Sequence, residues 1–268
     1  MRFYDTRVLL LPRDGVNVQW QVEPENDDLS LVEIELQRSE SPHGPFTVIQ
    51  TLDPLTSFSF TDHTAPWRSK NFELYYQLVG RLRSSGEAVS SCPAFSFQGQ
   101  LTLDAVEIIR QHHILLYGVN GHEPLTGIVT TVYKRRTFGP RCRTCTDEST
   151  GQVVISQCRE CGGTGFASGG YYQPIAVNMN FQPHPKLLQI SNMGKSEDNE
   201  TTVFTTNFPI FYPGDMVVEP SEKHWRVVQA EVTERKRVVV HQLLRLRQLD
   251  HNDVEYEVFR HLDNGEVS

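Results

Sequence analysis

The chain has 268 residues, 38% of them hydrophobic, with 25 basic against 33 acidic side chains and a formal net charge of -8 at pH 7. That length lets two or three units each bury a core, and the acidic balance works against generic affinity for nucleic acid. No run of about eighteen apolar residues occurs, so no membrane span is predicted, and the apolar stretch 8–11 is far too short for an export signal, so secretion by a signal peptide is not expected.

From the N-terminus, Val16, Val18, Trp20 and Val22 alternate with polar residues, the period of a half-buried strand. Val32, Ile34 and Leu36 alternate in the same way, as do Phe58 and Phe60, and then Phe72, Leu74, Tyr76 and Leu78. Turn-forming clusters at 24–28, 41–45, 54–57 and 84–86 separate these runs. Short strands at this spacing predict an antiparallel sandwich over residues 1–98. The inward Trp20, the run Glu35-Leu-Gln-Arg-Ser39 with His43-Gly-Pro-Phe46, then Phe60-Thr-Asp62, Leu74-Tyr-Tyr-Gln-Leu78 and Ser85-Gly-Glu87 leading to Ser90-Ser-Cys-Pro93 resemble the fibronectin type III domain. The resemblance covers residues 10–98 and implies an adhesive or spacer module without chemistry of its own. Trp20 reads as core, not as a ligand platform, and Cys92 as a small buried hydrophobe.

A middle region, 99–180, opens with Leu103, Val106, Ile108, Ile109, Leu115 and Leu116, which fit a helix over 102–117 with an apolar face. Asp104 and Glu107 fall in its first turns, where acids suit the dipole, and Gly118 and Asn120-Gly121 end it. His112 and His113 read as packing or polar-face residues, because a lone pair of histidines is a weak metal signal.

Further along, Cys142-x-x-Cys145 and Cys158-x-x-Cys161 stand twelve residues apart. A two-residue gap lets both thiolates of a knuckle face one ion, and two knuckles supply the four sulfurs of a tetrahedral structural zinc site. Gly162, Gly163 and Gly165 follow where the backbone must turn sharply, and the intervening segment reads as a turn and short strand, making a small zinc ribbon. The alternatives are two disulfides, a redox dithiol, or iron on the same thiolates. Disulfides need an oxidising compartment that nothing here indicates, a redox pair sits at the start of a helix, and softness and geometry put zinc ahead of iron. With all four positions filled by Cys, such a metal holds the fold and leaves no open position for catalysis. Lys134, Arg135, Arg136, Arg141 and Arg143 cluster beside this loop. Two readings stand for them: a solvated surface around the metal loop, or a contact for phosphate or an acidic partner.

The C-terminal region, 181–268, returns to strands at 208–212, 216–218, 225–228, 238–246 and 254–259, with a turn at Pro213-Gly214-Asp215. Residues 182–200 read as an exposed loop, and Asn199-Glu200-Thr201 is a glycosylation sequon by pattern only. The sum is a small β-barrel and a mainly β chain.

The runs Tyr212-Pro-Gly-Asp-Met-Val-Val-Glu-Pro220, His224-Trp-Arg-Val-Val228 and Val240-His-Gln-Leu-Leu-Arg-Leu246 resemble the small barrel domains of tailed-bacteriophage head-to-tail connector proteins. The glycine-rich end of the metal loop, Cys161-Gly-Gly-Thr-Gly-Phe through Pro174, is similar to segments of phage structural proteins. The resemblance covers about residues 100–258. It implies a non-enzymatic virion component, made in the host cytoplasm, that forms a homo-oligomeric neck ring between portal or adaptor and tail proteins, with genomic DNA passing through. A fused fibronectin-like module departs from the minimal connector and leaves another tail or baseplate position open.

Two other functions compete: a zinc-ribbon nucleic-acid-binding module, motivated by the basic cluster, and a carbohydrate-active or adhesive protein, for which a fibronectin-like module is a frequent accessory. The sequence carries no nucleophile-elbow, P-loop or dinucleotide motif, and its acids are scattered.

Overall fold

The computed structural model describes residues 1–12, 15–24, 29–65, 73–119, 123–147, 150, 152–182 and 200–256. In chain order these form β1 (Arg2–Leu11), β2 (Gly15–Glu23), β3 (Val32–Ser39), β4 (Thr47–Leu52), β5 (Ser59–Asp62), β6 (Tyr75–Leu82), β7 (Ala88–Ser91), α1 (Leu103–Tyr117), β8 (Ile128–Tyr133), β9 (Ile175–Gln182), β10 (Glu200–Thr205), β11 (Met216–Val218), β12 (His224–Arg235) and β13 (Val238–Gln248). The protein is mainly β, as its alternating pattern predicts.

The first seven strands make two antiparallel sheets, ordered β1-β2-β5 and β4-β3-β6-β7. Val16, Val18, Trp20 and Val22 of β2, Val32, Ile34 and Leu36 of β3, and Tyr76 and Leu78 of β6 meet in one core. Trp20 is 1% exposed, which makes it core. Cys92 is buried, and its Sγ accepts the Leu78 N–H at 3.2 Å. On a half-buried strand Asn17 and Gln19 would face water, yet both are buried. The reason is tertiary: Gln19 exchanges two hydrogen bonds with the backbone of Ile210, so the barrel covers this polar face. The run 8–11 belongs to β1, where Val8 enters the two-sheet core, Leu9 packs on Ile210 and Val239, and Leu10 packs on α1 and Val240. An unbroken apolar run marks a strand buried on both faces.

In α1, Gly118 takes φ +73 and donates its N–H to Ile114 O, closing the helix. The buried stripe is Ala105, Ile109, His113 and Leu116, whereas Leu103 is 86% exposed. His113 lies within that stripe and His112 contacts Phe204 and His241, so both are packing residues. Asn120-Gly121 lies outside the described residues.

The remaining strands close a six-stranded antiparallel barrel, ordered β10-β13-β12-β11-β8-β9, with β9 paired to β10. Its core is Val132, Val177, Met179, Val203, Phe211, Val217, Trp225, Val227, Leu244 and Leu246. This corrects the expected boundary at 180/181, because β8 and β9 complete the barrel and the cysteine loop is an insertion between them. Two expected strands also fail. Residues 208–212 are irregular: Pro209 has no N–H, and the next three amides bind side chains, Ile210 to Gln19 Oε1, Phe211 to Gln242 Oε1 and Tyr212 to Asp215 Oδ2. Residues 254–256 form a helical turn, with Tyr256 against His224 and His251, and 257–259 lie outside the described residues. The expected loop over 182–200 overlaps strand ends at Gln182 and Glu200, and residues 183–199, including Asn199 of the sequon, are outside the described residues. Among the described residues, no helix is long and apolar enough to cross a membrane.

Candidate metal centre

The chain leaves the barrel at the end of β8 and returns at β9, and three bridges zip the two arms of the insertion. Arg135 pairs with Tyr171, Arg141 with Phe166, and Thr146 with Val153. Backbone bonds from Cys142 N–H to Gly165 O and from Val154 N–H to Cys145 O fold each knuckle over the other. Gly163 has φ +76, and a Cβ there would stand 2.3 Å from the carbonyl oxygen of Ser156, so glycine is required on both conformational and steric grounds.

This folding brings Cys142, Cys145, Cys158 and Cys161 together, all buried, with their four Sγ atoms within 4.8 Å of one another. Cys142 and Cys158 are 3.8 Å apart at sulfur, Cys145 and Cys161 3.3 Å. Zinc–sulfur bonds of about 2.3 Å in a tetrahedron put sulfurs about 3.8 Å apart. The cysteines are unbridged, and the paired sulfurs at 3.8 and 3.3 Å stand well beyond a disulfide's length of about 2.05 Å. The Gly165 N–H points at Cys161 Sγ at 3.4 Å, the kind of donor that steadies a ligating thiolate. Burial pushes the Cys142 and Cys145 thiols up. Cys161 is lowered: burial opposes ionisation there too, but hydrogen bonds from Cys145 and the Gly165 amide outweigh it. Four soft donors with no hard ligand among them, closed off from solvent, fit a tetrahedral thiophilic cation that would displace the remaining protons. These residues could hold one metal ion.

Glu160 was not singled out by sequence reasoning. Its Oε2 accepts from Thr144 Oγ1 at 2.5 Å and lies 3.7 Å from Cys142 Sγ, beside the metal position. A carboxylate inside the second knuckle is the only signal the sequence offered.

The basic cluster does not form one surface. Lys134 is buried: its Nζ donates to Ile210 O at 2.6 Å, pairs with the Asp215 carboxylate and lies over the Tyr212 ring at 4.7 Å. Burial lowers the Lys134 ammonium while Asp215 pulls it back. Arg136 is also buried, against Tyr172, and Gly139 packs on its guanidinium. Strand pairing and packing turn these two inward, which corrects their assignment to a contact surface. Arg135, Arg141 and Arg143 are exposed, Arg141 over the Phe166 ring. Nothing in the turn Pro213-Gly214-Asp215 announced that Asp215 would bind Lys134, 81 residues away.

Where the two-sheet unit meets the barrel, Gln19, Trp20, Lys134, Phe138, Tyr172 and Tyr212 line a cleft of about 20 Å³, room for one water.

No protein-family model matches this chain, and a search of curated proteins found no similar sequence.

Proposed function

We propose that this chain is a structural, non-enzymatic component of a tailed-phage virion, a head-to-tail connector or neck protein that assembles as a homo-oligomeric ring between portal and tail, with zinc on Cys142, Cys145, Cys158 and Cys161. The observation that carries the reading is how the buried polar side chains are used. Gln19 and Asn207 bridge the two-sheet unit and the irregular segment 206–211 of the barrel, and Lys134 and Gln242 tie that segment to the barrel wall. Their hydrogen bonds make one stiff body of three parts, the property a spacer in an assembly requires. A metal there would staple the cysteine loop, whose four cysteines form a buried cluster of their own among the described residues.

We read the N-terminal unit as a fibronectin type III domain. Supporting this are the three-plus-four strand order, the inward Trp20 on the second strand, and Tyr76 on β6, whose hydroxyl donates to buried Asp62 at 3.0 Å. The test is native mass spectrometry of the purified protein with elemental analysis of the same sample. A closed ring with one zinc per chain supports the reading, and a monomer at every concentration that captures no portal or tail protein ends it.

A second reading, a nucleic-acid-binding ribbon, draws on exposed Arg135, Arg141 and Arg143. It requires salt-dependent binding that weakens on charge reversal at Arg135 and Arg143.

A further inference from the structure

Arg226 and Arg247 stand directly opposite each other on β12 and β13. Their chain neighbours Val227 and Leu246 point into the barrel core, so both guanidiniums lie on the outer wall. Like charges in facing positions repel and destabilise a sheet unless an anion lies between them. A third guanidinium joins the pair. Gly214 donates its N–H to Val227 O, beside Arg226, and a Cβ on Gly214 would stand 2.9 Å from Arg135 Nη1, so Arg135 reaches across this turn. The Arg226 guanidinium is held below its ordinary value, first by burial and further by the charges of Arg247 and Arg135, against the pull of Tyr171 and Asp253.

Of the three arginines only Arg226 has a carboxylate partner, Glu255. The guanidiniums of Arg135 and Arg247 have no acceptor among the described residues. Two other acids border the cluster, and both are engaged. Glu200, opposite Arg247 on β10, accepts from Nε and Nη2 of Arg245 at 2.6 and 2.5 Å, and Asp215 is buried on Lys134.

Glu255 reaches this wall from the helical turn that follows β13. That turn is held by the Leu249 N–H on His224 O and by the Tyr256 ring against His224 and His251. The ion pair itself is 39% exposed at Arg226 and 21% at Glu255, so water and salt screen it and it holds weakly. Residues 250–268 carry six acidic side chains against one arginine, Arg260. A single carboxylate satisfies one guanidinium of three, whereas a phosphate group offers more acceptor oxygens and binds guanidiniums in two-pronged fashion.

We propose that Arg135, Arg226 and Arg247 form a phosphate-binding site on the outer wall of the barrel, and that Glu255 covers it as a displaceable internal anion. The site does not draw on Arg141 and Arg143 of the ribbon, and it holds whether or not the chain assembles as a ring. Phosphate binding releases the segment after Leu249 from the wall.

The test is calorimetric titration of the full-length, metal-loaded chain with inorganic pyrophosphate at low salt, with amide exchange followed over residues 250–256. Arg135→Gln and Arg247→Gln, both at exposed side chains, should each weaken binding about tenfold. Glu255→Gln should tighten it about three- to fivefold, the worth of the screened ion pair it removes. Arg143→Glu, on the ribbon, should leave it within about twofold of wild type. Exchange over 250–256 should quicken when pyrophosphate is added to wild type. The same titration with a short DNA duplex separates the sources of phosphate: duplex binding that both arginine changes weaken means the site takes a phosphodiester backbone, and binding of pyrophosphate alone means a free phosphate compound. Absence of pyrophosphate binding in both wild type and Glu255→Gln, or binding that survives both arginine changes, overturns the site. An affinity and an exchange rate that neither Glu255→Gln nor pyrophosphate alters overturn the cover.

Discussion

The ribbon makes the most direct test of the reasoning, through Cys161→Ser. Cys161 is 0% exposed, its Sγ lies 3.3 Å from that of Cys145, and it accepts the Gly165 amide. Structural zinc binds finger-like peptides with about 10–16 kcal/mol, so each of four thiolates accounts for about 3–4 kcal/mol, and losing one should weaken zinc by about a hundred- to thousand-fold. The four cysteines form a cluster with no other apolar residue in it, separate from the barrel core of Val132, Met179, Leu244 and their neighbours. Loss of the metal should therefore unfold residues 142–165 locally, while the barrel's unfolding free energy changes by less than about 0.5 kcal/mol. The assay is competition with a chromophoric chelator, followed by limited proteolysis and amide exchange. A Cys161→Ser protein that keeps one zinc per chain as firmly as wild type, or a metal-stripped wild type whose ribbon stays protected, would refute the four-sulfur site.

Gly163→Ala should act on the same centre without touching a ligand: the clash with Ser156 O and the positive φ should cost about 1–3 kcal/mol, read as weaker zinc binding. Lys134→Met should destabilise by about 3–5 kcal/mol in urea, because Asp215 is left buried with only the amides of Arg135 and Tyr212. A loss below about 1 kcal/mol would mean the pair is not desolvated. At Asp62, burial opposes ionisation, but hydrogen bonds from Thr64 and Arg38 carry its carboxyl below the ordinary range. That stability is present above the unfolded value of 3.8 and is lost as the pH falls through the lower folded value. Tyr76→Phe should remove about 1 kcal/mol of it at neutral pH, and no change would show that the hydroxyl is not engaged. Burial holds His112 and His241, whose rings are 4.8 Å apart, below the usual 6.5. The unfolded chain therefore takes up protons first, and stability should fall as the pH drops below 6.5. Paired His112→Leu and His241→Leu changes should flatten the denaturation profile between neutrality and about pH 5.

What the sequence determined by itself was local. Period-two alternation located β2, β3 and β6 and put Trp20 and Tyr76 in the core, because strand geometry sends alternate residues to one face whatever lies beyond. The cysteine spacing identified the four-sulfur cluster, because a two-residue gap joins each pair and only the meeting of the two pairs depends on the fold. Tertiary structure decided the rest. β8 and β9 looked like parts of a middle region, since pairing across a 41-residue insertion leaves no periodic trace. Gln19 looked solvent-facing until the segment after Thr206 was laid over it, and that same segment lost its strand character because distant side chains, not a neighbouring strand, satisfy its amides. Lys134 and Arg136 read as surface charge because a run of basic residues says nothing about which side chains the pleat turns inward, and only the positions of Asp215 and Tyr172 in space show what receives them.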